Sequence, residues 1–332
     1  MIKRFIAVVL CLLMAAAMLV GCGTQPAQKI TLNEVTHSVF YAPLYAAVSL
    51  GYFKDEGLEI ELVNGGGADK SMTAVLSGQA EIGLMGPEAA IYVFNEGKED
   101  SALVIGQLTK RDGSFLMGRT PDDNFEWTDV KGKTIIGGRA GGVPEMTLEY
   151  VLRKNGLEPG VDVEVLTNIQ FNLMGGAFEG GTGDYVTLFE PTASTFEKEG
   201  KGYILDAVGA ESGEVPYTAF MAKKSYIKDH PEIIEKFLRA VYKGQRFVQN
   251  ATDEEVAKAI VSFFPDTSIE SLVMVAKSYR AIDAWMDTPV MKEEAFNRLQ
   301  DIIIQAGVLE DKVEFTDVVD TSYAQKIVDA MS

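Results

Sequence analysis

Cysteine is nearly absent. The 332 residues contain two, Cys11 and Cys22, both among the first twenty-two positions. A body without cysteine has no disulfide and no thiolate nucleophile, so its stability must come from packing. Histidine is as scarce, with only His37 and His230, and no His/Cys cluster has metal-ligand spacing. No G-x-S-x-G elbow is present to support a serine triad, and neither a P-loop nor a full dinucleotide fingerprint occurs. Basic residues are in the minority: 30 Lys and Arg against 48 Asp and Glu give a formal charge of −18. That excludes nucleic acid as a partner and disfavours electrostatic docking on anionic lipid. Beyond the first residues, no apolar run reaches the length of a spanning helix.

Apolar residues make up 47% of the chain and charged residues 23%, the balance of a soluble globular protein. The length allows one large domain or two ordinary ones. Residues 1–22 form a targeting segment, with Lys3 and Arg4 before the apolar run Phe5 to Val20. Leu19-Val20-Gly21-Cys22 resembles a bacterial lipobox, which implies cleavage before Cys22 and lipid on that cysteine. An ordinary signal peptide or a membrane-spanning anchor are the alternatives. Residues 23–29 then read as a polar linker, and the body as extracytoplasmic, tethered to the outer face of the cell membrane.

One stretch recurs. Leu76 to Ala90, LSGQAEIGLMGPEAA, is echoed by Phe178 to Ala193, FEGGTGDYVTLFEPTA. Each copy ends a helix-like run and passes a glycine turn holding one acid, Glu81 or Asp184. Each then continues as a short apolar strand and stops at a proline beside a glutamate, Pro87-Glu88 or Glu190-Pro191. Two such copies point to two similar α/β lobes, each offering a carboxylate at a strand's carboxyl end, where open α/β sheets bind ligands. Glu81 and Asp184 read as architectural, Glu88 and Glu190 as cleft residues.

The remaining pattern alternates strands and helices, then turns helical. Strands are predicted over 30–35, 59–63, 103–108, 115–118, 133–137, 162–166 and 203–208, helices over 42–51, 68–77 and 145–155. From His230 onward the chain is helical, with Pro231 suited to a first turn and one apolar stripe of Ile233, Ile234, Phe237, Leu238, Val241 and Tyr242. This composition gives α/β lobes with a helical C-terminal region.

Several residues are candidates for ligand contact. His37 lies at the carboxyl end of the first strand, whereas His230, at a helix start, reads as structural. Gly141 and Gly142 read equally as tight turns or as a loop whose backbone N–H groups approach a ligand. Phe40, Tyr41, Tyr45, Phe171, Phe189 and Tyr217 offer faces that suit a flat heterocycle, and Trp127 and Trp285 are assigned to packing. Gly86 before Pro87, Asn172 at a short helix, and Arg139 beside the glycine loop complete the set with Glu88 and Glu190.

Phe40 to Leu62, with Pro43-Leu44, Gly51-Tyr52-Phe53 and Glu56-Gly57-Leu58, resembles the first βα unit of ABC-transporter solute-binding proteins. The particular group is the nitrate/sulfonate/taurine and thiamine-pyrimidine-precursor clan. Ser77 to Gly83, Gly183 to Val186 before Glu190-Pro191, Lys131 to Ile135 and Val215-Pro216-Tyr217 extend the similarity over nearly all of the body. The resemblance implies a two-lobed type II periplasmic-binding-protein fold with crossover strands near 113–119 and 213–222. Lobe 1 would comprise 30–114 plus 219–332, and lobe 2 would comprise 115–218. It further implies a monomer that binds a small molecule between its lobes, closes by a hinge, and docks on a permease driven by an ATPase. No cofactor and no enzymatic activity are expected.

Anion binders of that clan would gather Arg, Ser, Thr and helix N-termini. This chain places carboxylates at both strand ends, and a carboxylate accepts from amino groups. An aminopyrimidine thiamine precursor, or thiamine itself, is therefore the expected ligand, with a sulfonate, taurine or nitrate-type anion as the alternative that Arg139 supports. An enzyme resembling thiamine-pyrimidine synthase would need pyridoxal and a cysteine-rich motif that the body lacks. A lipoprotein sensor or adhesin is the third reading.

Overall fold

The computed structural model describes residues 27–332. The predicted targeting segment with its Cys22, and residues 23–26 of the predicted linker, lie outside the described residues. The ten strands are β1 (Gln28–Glu34), β2 (Leu58–Asn64), β3 (Ile82–Met85), β4 (Ala102–Thr109) and β5 (Ser114–Gly118), then β6 (Thr134–Ile136), β7 (Glu164–Leu166), β8 (Tyr185–Phe189), β9 (Tyr203–Ala207) and β10 (Thr218–Lys223). The first begins two residues before the predicted Ile30, because Gln28 and Lys29 continue the parallel ladder onto Leu58 and Glu59. Their exposed side chains give no apolar signal.

Two five-stranded sheets form, in the orders β2-β1-β3-β10-β4 and β7-β6-β8-β5-β9. The two orders correspond position by position. In each, three parallel strands are followed by one antiparallel strand that arrives from the other half of the chain: β10 between β3 and β4, β5 between β8 and β9. The echoed apolar runs are β3 and β8, which occupy the same central place in their sheets.

The acidic turn before each of these strands makes the same pair of bonds. Glu81 N–H donates to the Thr31 carbonyl, and the Glu81 carboxylate accepts from Thr31 N–H at 2.7 Å. Asp184 N–H donates to the Thr134 carbonyl, and the Asp184 carboxylate accepts from Thr134 N–H at 2.9 Å. Each acid thus locks the start of a central strand to its neighbour, as the architectural reading expects.

Burial follows the two-residue strand period. In β5, Phe115 and Met117 join the main apolar core, while Leu116 points to the opposite face and a smaller core around Trp127, Leu148 and Val151. In the helical region, the stripe from Ile233 to Tyr242 on helix Pro231–Asn250 is buried. That helix lies against helix Ala42–Ser49 at Gly244, where an added Cβ would run into the Pro43 carbonyl. Thr252 caps helix Asp253–Ile260 in a box with Glu255. A helical turn at Tyr52–Asp55, entered through Gly51 at φ 79°, occupies what reads in sequence as a lead into β2.

Two connections link the sheets, and they run side by side. Val215 N–H donates to the Lys110 carbonyl at 2.9 Å and Tyr217 N–H to the Thr109 carbonyl at 3.2 Å. Helix Ile269–Ala281 then reaches the second sheet, where the Glu190 N–H donates to the Tyr279 hydroxyl at 3.1 Å.

The acidic turns yield a prediction. Glu81→Ala should cost about 1 kcal/mol in urea unfolding, the worth of one hydrogen bond. Asp184→Ala should cost less, because its bond to Thr134 is exposed to water. A neutral Glu81→Ala would contradict the locking role.

Candidate functional site

The turn that follows β1 carries the residue on which the seam between the sheets is built. Ser38 starts a short helical turn, Val39–Tyr41, by accepting the Phe40 N–H on its hydroxyl at 3.2 Å. The Trp285 indole N–H donates to the Phe40 carbonyl at 2.9 Å. So held, the Phe40 ring meets Tyr279 at 5.0 Å, Tyr217 at 5.6 Å, Phe189 at 5.7 Å and Tyr41 at 5.9 Å between centroids. These rings come from the turn after β1, from the end of β8, from a connection between the sheets and from helix Ile269–Ala281. Gly113 leaves the Phe40 ring its space, since a Cβ there would strike it.

A polar atom without a partner borders this aromatic cluster. Glu88 opens helix Glu88–Asn95 just beyond β3; it is 3% exposed, and its Oε2 has no hydrogen-bond partner. Burial pushes its carboxyl up to about 7, against the opposing pull of its own N–H, of Arg139 and of the Ala89 N–H. Gly86 gives that carboxyl room, because a Cβ there would collide with it. The Tyr217 hydroxyl lies against the carboxyl of Asp112, which is wholly buried and also accepts from the Ser114 N–H and hydroxyl. Burial pushes the Tyr217 phenol well above its ordinary value, and the nearby Asp112, Tyr41 and Glu88 push in the same direction. The Tyr217 hydroxyl and the Asp112 carboxyl face one another and are each other's hydrogen-bonding neighbour across the paired connections.

The second echoed glutamate is different. Glu190 is also buried, but its two oxygens accept from the Ser194 N–H at 3.0 Å and the Ser194 hydroxyl at 2.7 Å. It caps the helix Thr192–Lys198 that follows. Of the two cleft glutamates read from sequence, only Glu88 retains an unpaired buried oxygen.

The glycine loop sits across the seam from Glu88. Gly141 has φ 71°, and its N–H donates to Glu145 at 3.0 Å. The Tyr92 hydroxyl, from the Glu88 helix, donates to the Gly141 carbonyl at 3.1 Å and so joins the two halves. Gly142 precedes helix Val143–Lys154. Arg139 is exposed at the rim and makes no ion pair among the described residues. Asn172 is exposed in the turn Phe171–Leu173, whose Phe171 ring lies 5.3 Å from Phe189.

His37 is bound within the protein at both ring nitrogens. Nδ1 lies 2.8 Å from Glu34 and Nε2 2.9 Å from the Phe263 carbonyl, while the ring stacks on Phe264. Tyr45, a stacking candidate, donates to the same Glu34 at 2.6 Å. Glu34, Asp112 and Tyr279 are the participants that sequence reading omits. Glu34 ends the first strand and was open to notice; Tyr279 is brought in by the tertiary fold and carries no local signal.

Among the described residues, no group of three His, Cys, Asp or Glu side chains is placed to hold a metal, and no helix is long and apolar enough to cross a membrane. The Glu34 carboxylate raises the His37 pKa above 6.5. The stability this adds is full below that unfolded value and lost as pH rises through the folded one. His37→Gln should therefore lower the melting temperature more below about pH 6 than above about pH 9; a pH-independent difference in thermal scans would contradict this.

Comparison with known proteins agrees with the architecture. A relative from Bacillus subtilis (strain 168), provisionally named binding protein YtlA, is 42% identical over 299 residues, covering 90% of each chain. The alkanesulfonate-binding protein SsuA of Xanthomonas axonopodis pv. citri, solved with MOPS, superposes with a TM-score of 0.71 at 15% identity, covering 90% of this chain and 99% of that one. The periplasmic nitrate-binding protein NrtA of Synechocystis PCC 6803 gives 0.71 at 15% identity, with 92% and 89% covered. The desulfurization enzyme DSZB shares the fold at 0.64 and 12% identity, covering 92% of this chain and all of that one. At such identities the likeness is one of fold, the periplasmic-binding-protein fold. The family model described as NMT1/THI5 like matches residues 39–255, and the chain belongs to that family.

Proposed function

We propose that this protein is the extracytoplasmic solute-binding component of an ABC importer, with no catalytic role. It captures a small, flat, nitrogen-bearing molecule between two lobes and delivers it to a membrane permease and its ATPase. An aminopyrimidine thiamine precursor, or thiamine itself, is the ligand class. In this reading the body is a monomer held at the outer face of the cell membrane by lipid on Cys22.

The observation that carries the ligand class is the unpaired Oε2 of Glu88, buried within electrostatic reach of Tyr217, whose ring meets that of Phe40 at 5.6 Å. Leaving a buried acceptor unpaired costs about 1–3 kcal/mol. A ligand amino group would relieve that cost, and the aromatic faces would hold its ring. Gly141, Gly142, Asn172 and Glu190 frame the seam without spare buried acceptors.

A second reading has its own support. Arg139 stands unpaired at the rim beside the start of helix Val143–Lys154, an arrangement that suits an anion. SsuA and NrtA, which share the fold, are named as alkanesulfonate- and nitrate-binding proteins. Calorimetry with a panel of aminopyrimidines, thiamine, taurine, an alkanesulfonate and nitrate separates the two. The pyrimidines should give heat and the anions none, and Glu88→Gln should weaken binding by about tenfold or more, since it removes a hydrogen bond to a charged group. Heat from the anions alone, abolished by Arg139→Ala, would replace the first reading with the second. A pyridoxal absorbance band in the purified protein would instead favour an enzyme.

A further inference from the structure

Helix Glu88–Asn95 follows β3 in the first half of the molecule, and the loop 137–142 follows β6 in the second. Glu88 and Tyr92 stand four residues apart on that helix and so share one face. The Tyr92 hydroxyl donates to the Gly141 carbonyl at 3.1 Å and lies 3.9 Å from the Met146 sulfur. Met146 is itself buried in the core that both halves build. Burial pushes the Tyr92 phenol above its ordinary value, Glu88 and Glu145 push it the same way, and Arg139 opposes them. The phenol therefore keeps its proton at neutral pH and remains a donor.

The acceptor is fixed from its own side. The Gly142 N–H donates to the Arg139 carbonyl at 3.1 Å, closing a four-residue turn whose third residue, Gly141, has φ 71°. A turn with positive φ at its third position favours glycine there. No atom lies within 4 Å of where a Gly141 Cβ would stand, so conformation rather than space makes that demand. The Gly141 N–H donates to Glu145 at 3.0 Å, and Glu145 is buried in the first turn of helix Val143–Lys154. One residue thus gives its N–H to its own half and its carbonyl to the other.

We propose that Tyr92 is a latch: its bond to the Gly141 carbonyl holds the two halves together without ligand, and its place one turn beyond Glu88 ties occupancy of that carboxyl to closure. Tyr92 is a positioning residue, acting on a ligand only through the loop it holds. The latch stands on the geometry alone, and its tie to Glu88 rests on the solute-binding reading. The same bond keeps Arg139, the first residue of the turn, within electrostatic reach of Glu88. Release of a bound molecule then requires the latch to break as well as the ligand's own contacts, so losing the latch speeds dissociation.

The test uses the purified protein with its Tyr92→Phe, Glu145→Ala and doubly substituted variants. Small-angle scattering without ligand should show wild type as compact as this structure and Tyr92→Phe with a larger radius of gyration. Glu145→Ala, which frees the Gly141 N–H, should open the protein in the same direction. The double variant should open no further than the more open single one, because both substitutions act through Gly141. Surface plasmon resonance with 4-aminopyrimidine as the probe should show Tyr92→Phe binding about fivefold more weakly, with the loss in the dissociation rate.

An open wild type, or wild-type scattering from Tyr92→Phe, overturns the latch. So does additive opening in the double variant. A lower melting temperature in Tyr92→Phe with unchanged scattering and dissociation rate makes Tyr92 structural only, and the proposal falls. Should Tyr92→Phe not fold, Glu145→Ala decides: a larger radius supports the latch and an unchanged one overturns it. If wild type does not bind 4-aminopyrimidine, the tie to Glu88 falls with the ligand class, while the scattering still decides the latch.

Discussion

The side-by-side pairing of the two inter-sheet connections is the constraint on which the rest depends. Thr109 and Lys110 accept from Tyr217 and Val215, and the Thr109 and Thr218 hydroxyls meet at 2.5 Å. Because the connections are paired, each sheet must accept one strand from the other half of the chain. That exchange gives both sheets the same order. It also turns the carboxyl ends of β3 and β8 toward a common seam, where Phe40, Tyr217 and Phe189 meet. The geometry of the site is thus a consequence of how the chain crosses, and any ligand held there touches the segments that join the halves.

Much of this was legible in the residues because its causes are local. The duplicated helix–turn–strand pattern depends on glycine turns and short apolar runs, and β3 and β8 lie where those runs predict. The architectural role of Glu81 and Asp184 could be read for the same reason: each acid reaches only the neighbouring strand. The stripe of helix Pro231–Asn250 follows from its helical period. The likeness between the two glutamates past the strands, by contrast, misleads. Glu190 is satisfied by Ser194, four residues on, while Glu88 has no such partner. Sequence spacing does not reveal which acceptors remain unpaired once the chain has packed. Asp112 was hidden more deeply, since a charged residue in a connector reads as solvated surface until the connector is found buried. His37 shows the same limit, because its second contact is the carbonyl of Phe263, far along the chain.

The chemistry of the seam follows from this uneven satisfaction. A protein can bury a carboxyl at little penalty when N–H and O–H donors face it, as those of Ser194 face Glu190. Glu88 lacks that provision on one oxygen, and burial pushes its carboxyl up to about 7. Such groups are costly in an empty protein and useful in a loaded one, where donors from a ligand replace those that the fold withholds. Gly86 leaves room for the Glu88 carboxyl and Gly113 for the Phe40 ring. Arg139, out at the rim, is positioned to affect which charges approach.

The most direct measurement is a crystal structure of the protein grown with a hydroxymethyl-bearing aminopyrimidine. The account predicts the ring among Phe40, Tyr41 and Tyr217, with its amino nitrogen within hydrogen-bond distance of Glu88 Oε2. A ligand bound outside the seam, or an anion held by Arg139 and the Gly141–Gly142 backbone with Glu88 still unpaired, would contradict it.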